Sequence, residues 1–184
     1  MDKATELNLN FALNSYENRS LTDSISIATE ELKYKFMSIQ NYREAVNNSD
    51  LVDQRKSRND FEFEEEYPDH PLAEKNRHRR IIAGDFFWYL SGAVELSQIP
   101  TDTIKILEQS LYDCCAAVRL RVVQALGRWR SKDSLNNIIA LVEVENESKM
   151  VKGASEEAII AINDNNFKLD DSKYLKNPAA PFLD

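Results

Sequence analysis

Apolar residues recur at helical spacing along most of the chain, and the first long run follows a helix-start signal at residues 20–23. The small polar residues there can accept hydrogen bonds from the first backbone amides of a helix. Behind them, apolar residues recur every seven positions at Ile25, Leu32, Ile39 and Val46. The spacing predicts an amphipathic helix of about seven turns. We expect it to pack on its own domain, with a coiled-coil dimer seam as the alternative.

A second long helix is predicted from Pro71 to about Ser97. Proline suits a first helical turn, where its missing N–H would be unpaired in any case. The first part of this helix is polar, whereas residues 81–96 are apolar on almost every side. A helix of that kind is normally central and covered on both flanks. We therefore assign the large aromatic residues to the core rather than to a pocket: Phe86, Phe87, Trp88 and Trp129.

Two helix pairs with matching patterns are predicted between residues 100 and 162. Val118-Arg119 falls in register with Val151-Lys152, 33 residues on, and the same offset carries Ala125-Leu126 onto Ala158-Ile159. A period in the 30s with two amphipathic helices per period is typical of an α-solenoid. The predicted inward positions are Ile104, Leu107, Leu111, Val118, Val122, Ala125 or Leu126, Trp129, Leu135, Ile138, Ile139, Val142, Val151, Ala154, Ala158, Ile159 and Ile162.

The predicted fold class is all-α, a short α-solenoid with an additional N-terminal helical segment. Residues 1–70 form that segment together with an acidic–aromatic loop, residues 71–163 form the repeat region, and residues 164–184 form a C-terminal tail. The 184 residues suit one structural domain. Alternation at Phe61-Glu62-Phe63 resembles a short strand, but no other run offers it a partner strand.

The second helix of the first pair carries a family resemblance. Ala117-Val-Arg-Leu-Arg-Val-Val-Gln-Ala-Leu-Gly127 resembles the second helix of HEAT-like repeats, V-R-x-x-A-x-x-A-L-G, although Val122 stands where alanine is usual. Residues 106–113 are similar to the first helix of that family and its closing aspartate, and the resemblance covers roughly residues 82–163. It implies an armadillo-type α-solenoid of HEAT-like helix pairs in which Arg119 is first a scaffold residue. The phycobilisome-lyase branch of this family includes chromophore lyases, but no residue here can be carried over as catalytic.

Composition and charge indicate a folded protein and permit a protein partner. The chain is 42% hydrophobic and 29% charged, and its net charge is −8. An acidic balance argues against nucleic acid as a partner, because that affinity comes mainly from Lys and Arg. It permits a partner protein with a basic surface. No apolar run suggests a membrane span, and the first ten residues lack the order of a secretion signal, so we expect a cytoplasmic protein.

Few residue groups suggest chemistry. Cys114 and Cys115 are the only cysteines and the chain has two histidines, so a zinc site of ordinary spacing cannot be assembled. We expect the cysteines to begin a helix, with a redox role as the alternative. Glu74 and His78 lie one helical turn apart, which suits a metal ligand pair or proton transfer, but a surface pair is more common. The predictions therefore include no catalytic residue, metal or cofactor.

Two groups of basic residues remain. Nucleic-acid contact is one interpretation, but in an acidic chain we favour intramolecular pairs or an acidic protein partner. The groups are Arg77, Arg79 and Arg80 with His78, and Arg119, Arg121, Arg128, Arg130 and Lys132.

The predicted partner-binding site is the acidic–aromatic segment, where aromatic anchors stand between carboxylates. The function that follows is a non-enzymatic, cytoplasmic protein–protein interaction module that binds through a helical-repeat surface and this segment. A sharper version is an immunity or antitoxin-like inhibitor of a basic toxin, and the enzyme alternative is a chromophore lyase or isomerase. The candidate site residues are Phe61, Phe63, Glu64, Glu65, Glu66 and Tyr67.

Overall fold

The computed structural model describes residues 3–33, 71–145 and 147–169, and these ranges contain seven α-helices and no strand. The predicted all-α fold class is confirmed for this part of the chain. No helix within these ranges has both the length and the apolar character needed to cross a membrane. The helices are α1 (Lys3–Asn14), α2 (Leu21–Leu32), α3 (Pro71–Ser91), α4 (Thr101–Ser110), α5 (Ala116–Arg128), α6 (Leu135–Glu143) and α7 (Lys149–Asn163).

The first predicted helix start is confirmed. Ser20 caps α2, and its hydroxyl oxygen accepts a hydrogen bond from the backbone N–H of Asp23 at 3.1 Å. In the described residues α2 ends at Leu32, so the predicted continuation through Ile39 and Val46 lies outside them.

Helix α3 begins at Pro71 as predicted but ends at Ser91, six residues earlier than the sequence pattern indicates. The carbonyl of Leu90 accepts from the N–H groups of both Ala93 and Val94, each at 2.9 Å, which turns the chain out of the helix. The 3-10 turn Leu96–Gln98 then follows with its own capping box. Apolar periodicity runs through both elements, which is why the sequence alone joins them.

Helix α3 is central, as predicted. It packs against α1, α2 and α5, and α5 also packs against α7. Helix α4 lies against α2 and α5, and α6 lies against α7. Three aromatic residues of α3 are buried, which confirms their assignment to the core: Phe86, Phe87 and Trp88.

Most of the predicted inward positions are buried, but α6 contains an error. Leu107, Leu111 and Leu126 are completely buried. In α6, however, Ile139 is exposed and Leu141 is buried instead. Helix α6 has only nine residues, packs against α7 and buries two positions that lie three apart, Ile138 and Leu141. The adjacent Ile139 therefore falls on the solvent side.

The contact between α5 and α7 depends on a missing side chain. A Cβ atom at Gly127 would lie 2.7 Å from the Cβ of Ala158, closer than real Cβ contacts allow. Two small residues therefore let the helices approach closely at this crossing. At its C-terminal end α5 is also fixed to the chain after α3, because the indole N–H of Trp129 donates to the carbonyl of Val94 at 2.7 Å.

We expect Leu126→Ala to lower the free energy of unfolding by about 2–5 kcal/mol, because Leu126 is fully buried and its truncation leaves a cavity. Denaturant unfolding followed by circular dichroism measures this change. Ile139→Ala, at an exposed isoleucine of α6, is the control and should have a much smaller effect. Equal losses in the two variants would contradict this assignment of the core.

Candidate functional site

The predicted partner-binding segment, Phe61 to Tyr67, lies outside the described residues and stays a prediction. Glu74 and His78 are both exposed on α3. Across the three described ranges, no three His, Cys, Asp or Glu side chains come together in a group that could hold a metal ion.

The turn between α4 and α5 contains a buried ion pair that the sequence does not reveal. Arg80 of α3 donates from Nε to Oδ2 of Asp113 at 2.8 Å and from Nη2 to Oδ1 at 3.2 Å. Both side chains are almost completely buried. Oδ1 of Asp113 also accepts from the backbone N–H of Cys115 at 2.8 Å, at the start of α5. One carboxylate therefore fixes the beginning of α5 to the middle of α3.

Arg119 links this turn to the turn between α6 and α7. Its Nη1 donates to the carbonyl oxygens of Asp113 and Cys114. Its Nε and Nη2 donate to the two carboxylate oxygens of Glu147, at 2.7 and 2.6 Å. Glu147 in turn accepts from the backbone N–H of Ser148 at 2.7 Å, at the start of α7. We call Arg80, Asp113, Arg119 and Glu147 the turn network.

Arg130 serves the end of α7 in a similar way. Its guanidinium donates to the carbonyl oxygens of Asp164 at 2.7 Å and Phe167 at 2.9 Å, and to that of Ala161. A guanidinium at a helix C-terminus pairs carbonyls that have no partner inside the helix. The preferred interpretation of the basic residues as intramolecular partners therefore holds for Arg80, Arg119 and Arg130.

The two cysteines have a structural position. Both are partly exposed, and Cys115 is the residue that precedes the first turn of α5, as the sequence predicts. Burial raises the pKa of the Cys115 thiol, which keeps it protonated and a poor nucleophile. For Cys115, this favours the helix-start interpretation over a redox role.

A second arginine cluster lies where α3 faces α5. The guanidinium carbon of Arg121 lies 4.2 Å from the ring centroid of Trp88, and that of Arg128 lies 5.0 Å from it. Arg128 also donates from Nη1 to the carbonyl of Trp88 at 3.0 Å. Each guanidinium over the indole face gains a cation–π attraction.

Two polar residues complete this second cluster. Nη1 of Arg121 donates to Oε1 of Gln124 at 3.1 Å. Its Nε lies 2.6 Å from Oδ1 of Asp85, which makes an ion pair although the two atoms lack the alignment of a hydrogen bond. We call these five residues the Trp88 cluster: Asp85, Trp88, Arg121, Gln124 and Arg128.

Burial dominates the titration of the acidic group in the Trp88 cluster. It raises the pKa of Asp85, and the attraction of Arg121 lowers that pKa by less. The neighbouring Tyr89 also has a raised pKa, first because of burial and then because of the charge of Asp85. The cluster thus combines two guanidinium groups with one carboxyl group that is reluctant to ionise.

Arg80 forms no surface with the basic residues beside it in sequence, because it is fully buried. A signal was present. Arg80 lies three and seven positions before Ala83 and Phe87, which are buried, so it continues the apolar face of α3. Its partner, 33 residues away, could not be identified from spacing.

Comparison of the chain with family models, with curated proteins and with solved structures gave no match. The resemblance to HEAT-like repeats therefore stays a prediction.

We expect Asp113→Ala to lower the free energy of unfolding by about 3–5 kcal/mol, because it leaves the buried Arg80 charge without a carboxylate. Thermal and denaturant unfolding measure the loss. Asp102→Ala is the matched control, since it removes the exposed pair with Lys105 and should change stability little. If both variants were equally stable, the turn network would not support the fold.

The Asp85 carboxyl gives a pH-dependent prediction. Because its folded pKa is raised, the folded state binds the proton more tightly than the unfolded state between the two pKa values. Stability should therefore decrease as pH rises from the ordinary carboxyl pKa through the raised one. Asp85→Asn cannot titrate, so the wild-type stability minus that of the variant should fall over this range in urea unfolding at a series of pH values.

A wild-type advantage over Asp85→Asn that grows with pH would mean that the pairing with Arg121 outweighs burial.

Proposed function

We propose that this protein is a non-enzymatic, cytoplasmic interaction module that binds a partner protein. The observation that carries the proposal is that several of its arginines bind groups of the same chain. The arginines of the turn network, and Arg130, bind carboxylates or helix-end carbonyls of the same chain. Their chemistry therefore serves the architecture, and the surface that this architecture presents is available for recognition.

We propose further that α4–α5 and α6–α7 are consecutive HEAT-like units of a short solenoid. The residues that precede α5 and α7, Cys115 and Ser148, stand 33 positions apart, which equals the sequence period. Lys152, the counterpart of Arg119, donates to the carbonyl of Glu145 in the preceding turn at 3.4 Å, as Arg119 does in its own turn. Two elements with matched starts and matched cation positions support a repeated unit.

Exposed apolar side chains near α6 suit a binding surface on these units. Tyr112 follows α4, Ile139 lies on α6 and Val144 follows α6, and all three are exposed. The hydroxyl of Tyr112 donates to Oδ1 of Asn137 at 3.3 Å, which places the tyrosine beside α6. Aromatic and aliphatic anchors of this kind are common at the centres of protein interfaces.

The partner we propose has a basic surface, because the acidity of the chain is concentrated at one end. Residues 1–70 contain 15 Asp and Glu against 8 Lys and Arg, a net charge of −7, whereas the remaining residues contain 16 against 15, a net charge of −1. The segment with Glu64, Glu65 and Glu66 lies in the acidic part. Carboxylates gathered in this way would steer a basic partner toward the aromatic residues Phe61, Phe63 and Tyr67.

An immunity or antitoxin-like inhibitor is the sharper form of this proposal, since masking a basic toxin requires the same concentration of negative charge. The chromophore lyase or isomerase alternative receives less support. It would use aromatic residues to hold a tetrapyrrole, whereas Phe86, Phe87 and Trp88 are buried between helices.

We expect Glu64→Lys combined with Glu65→Lys to weaken binding of the partner and to reduce its dependence on salt, while leaving the unfolding temperature nearly unchanged. Affinity purification from native cells followed by mass spectrometry identifies the partner, and calorimetry at several salt concentrations then measures its affinity.

Asp133→Lys combined with Glu156→Lys is the matched control, because it changes the net charge equally at exposed positions of the repeat region. Unchanged affinity in the first double variant would remove the acidic–aromatic segment from the interface. A loss of affinity only in the control variant would place the interface on the repeat helices.

A further inference from the structure

Helix α1 is apolar on two sides. On one side Ala12 is completely buried and Leu9 packs against the same core. On another side Leu7 and Phe11 lie one helical turn apart, with relative exposures of 54% and 46%. No large apolar side chain among the described residues is more exposed than that of Leu7. A helix that is apolar on more than one side is normally covered on more than one side, and the described residues leave this second side open.

The open side of α1 continues onto α3. The ring of Phe11 stacks on that of Tyr89, with centroids 5.2 Å apart and planes inclined by 28°. Tyr89 is itself only partly buried. Contact with α3 restrains Phe11 before any partner binds, which lowers the entropic cost of binding through it. We call Leu7, Phe11 and Tyr89 the α1 patch.

The charge pattern of α1 indicates what covers the α1 patch. Residues 7–16 contain no Asp, Glu, Lys or Arg and form the longest such run in the chain. The whole chain has a net charge of −8, so two copies repel each other unless they meet through an uncharged surface. A basic partner would find no carboxylate in this run to attract it. The absence of charge is therefore what a second copy requires, and it offers nothing to a basic partner.

The other residues of α1 are compatible with an identical partner. Asn10 and Asn14 are exposed. An asparagine amide donates and accepts hydrogen bonds without carrying charge, so it can border a contact between identical surfaces. The charged residues of α1, Lys3 and Glu6, lie toward its N-terminal end. In an antiparallel pair they face the uncharged C-terminal half of the other α1 helix.

We propose that the α1 patch is a self-association surface, through which two copies of the chain pair with their α1 helices antiparallel. A closed dimer has a two-fold axis, so each contact occurs twice. Leu7 and Phe11 stand two positions before and two positions after Leu9. An axis beside Leu9 therefore brings Leu7 of one copy against Phe11 of the other, and the reverse.

This pairing goes beyond the proposed function. It uses neither the acidic–aromatic segment nor the exposed residues near α6, so either proposal can fail while the other stands. Two short helices bury a small area, and interfaces of that size are weak. The dimer should therefore be in reversible equilibrium with the monomer.

Sedimentation velocity of the full chain over a range of concentrations tests the proposal and should show this equilibrium. Leu7→Lys and Phe11→Glu each place a charge in the contact, so each should weaken dimerisation by about tenfold or more. Ile160→Lys and Ile160→Glu are the matched controls, because Ile160 has the same 46% exposure as Phe11 but lies on α7. Both control variants should dimerise as the wild type does.

A mixture of the two patch variants tests the antiparallel arrangement. In the mixed pair the introduced lysine lies opposite the introduced glutamate, while the remaining Phe11 and Leu7 keep their contact. The mixture should therefore form a heterodimer more tightly than either variant pairs with itself. A parallel pairing would set each position against its own copy and would not give this recovery.

Circular dichroism shows whether the variants are folded. Leu7→Lys decides the matter if Phe11→Glu is not folded, because Phe11 also stacks on Tyr89. A wild-type chain that stays monomeric up to its solubility limit overturns the proposal and leaves the α1 patch to a different protein. A dimer that Leu7→Lys weakens no more than Ile160→Lys does, or a mixture of folded variants that does not recover association, also overturns it.

Discussion

The fold depends on the rule that a buried charge must be paired. Arg80 and Asp113 are both removed from water, and each is compensated by the other. Such a pair adds little net stability compared with apolar residues of the same volume, but it strongly disfavours any arrangement that separates the two charges. Arg119 and Glu147 impose the same condition one turn further on. The helices can therefore slide past one another only by exposing or orphaning a charge, which makes the turn network a determinant of register.

The two arginine clusters place guanidinium groups in different surroundings. In the turn network, carboxylate oxygens and carbonyls accept from the guanidinium groups of Arg80 and Arg119. In the Trp88 cluster, the guanidinium groups of Arg121 and Arg128 both lie over the indole face of Trp88. The first arrangement joins the helix starts, whereas the second joins α3 to α5 through an aromatic ring. Arg119 lies near the start of α5, and Arg121 and Arg128 lie farther along it. One helix therefore contributes to both clusters.

Helical periodicity was sufficient to predict the all-α class, the central position of α3 and most of the core, because burial of an apolar face follows directly from residue spacing. It failed where two elements share one pattern, as at the end of α3, and where a short helix offers two adjacent isoleucines, as at Ile138 and Ile139 of α6. It also could not pair Arg80 with Asp113 or Arg121 with Asp85, since the partners lie far apart in sequence and meet only when α3 packs against α5. The predicted interface at residues 61–67 was derived from composition and lies outside the described residues.

The close approach of α5 and α7 at Gly127 has no equivalent 33 positions further on, where α7 carries Ile160. The absence of a side chain at Gly127 allows Ala158 to approach α5 within van der Waals contact. By the 33-residue offset, its counterpart on α7 is Ile160, whose side chain projects into solvent. A further helix laid against α7 at the equivalent place would meet a branched four-carbon group instead of a bare backbone. That helix would have to lie farther from α7 or cross it at another angle. The close spacing between α5 and α7 could therefore not be repeated on the exposed side of α7.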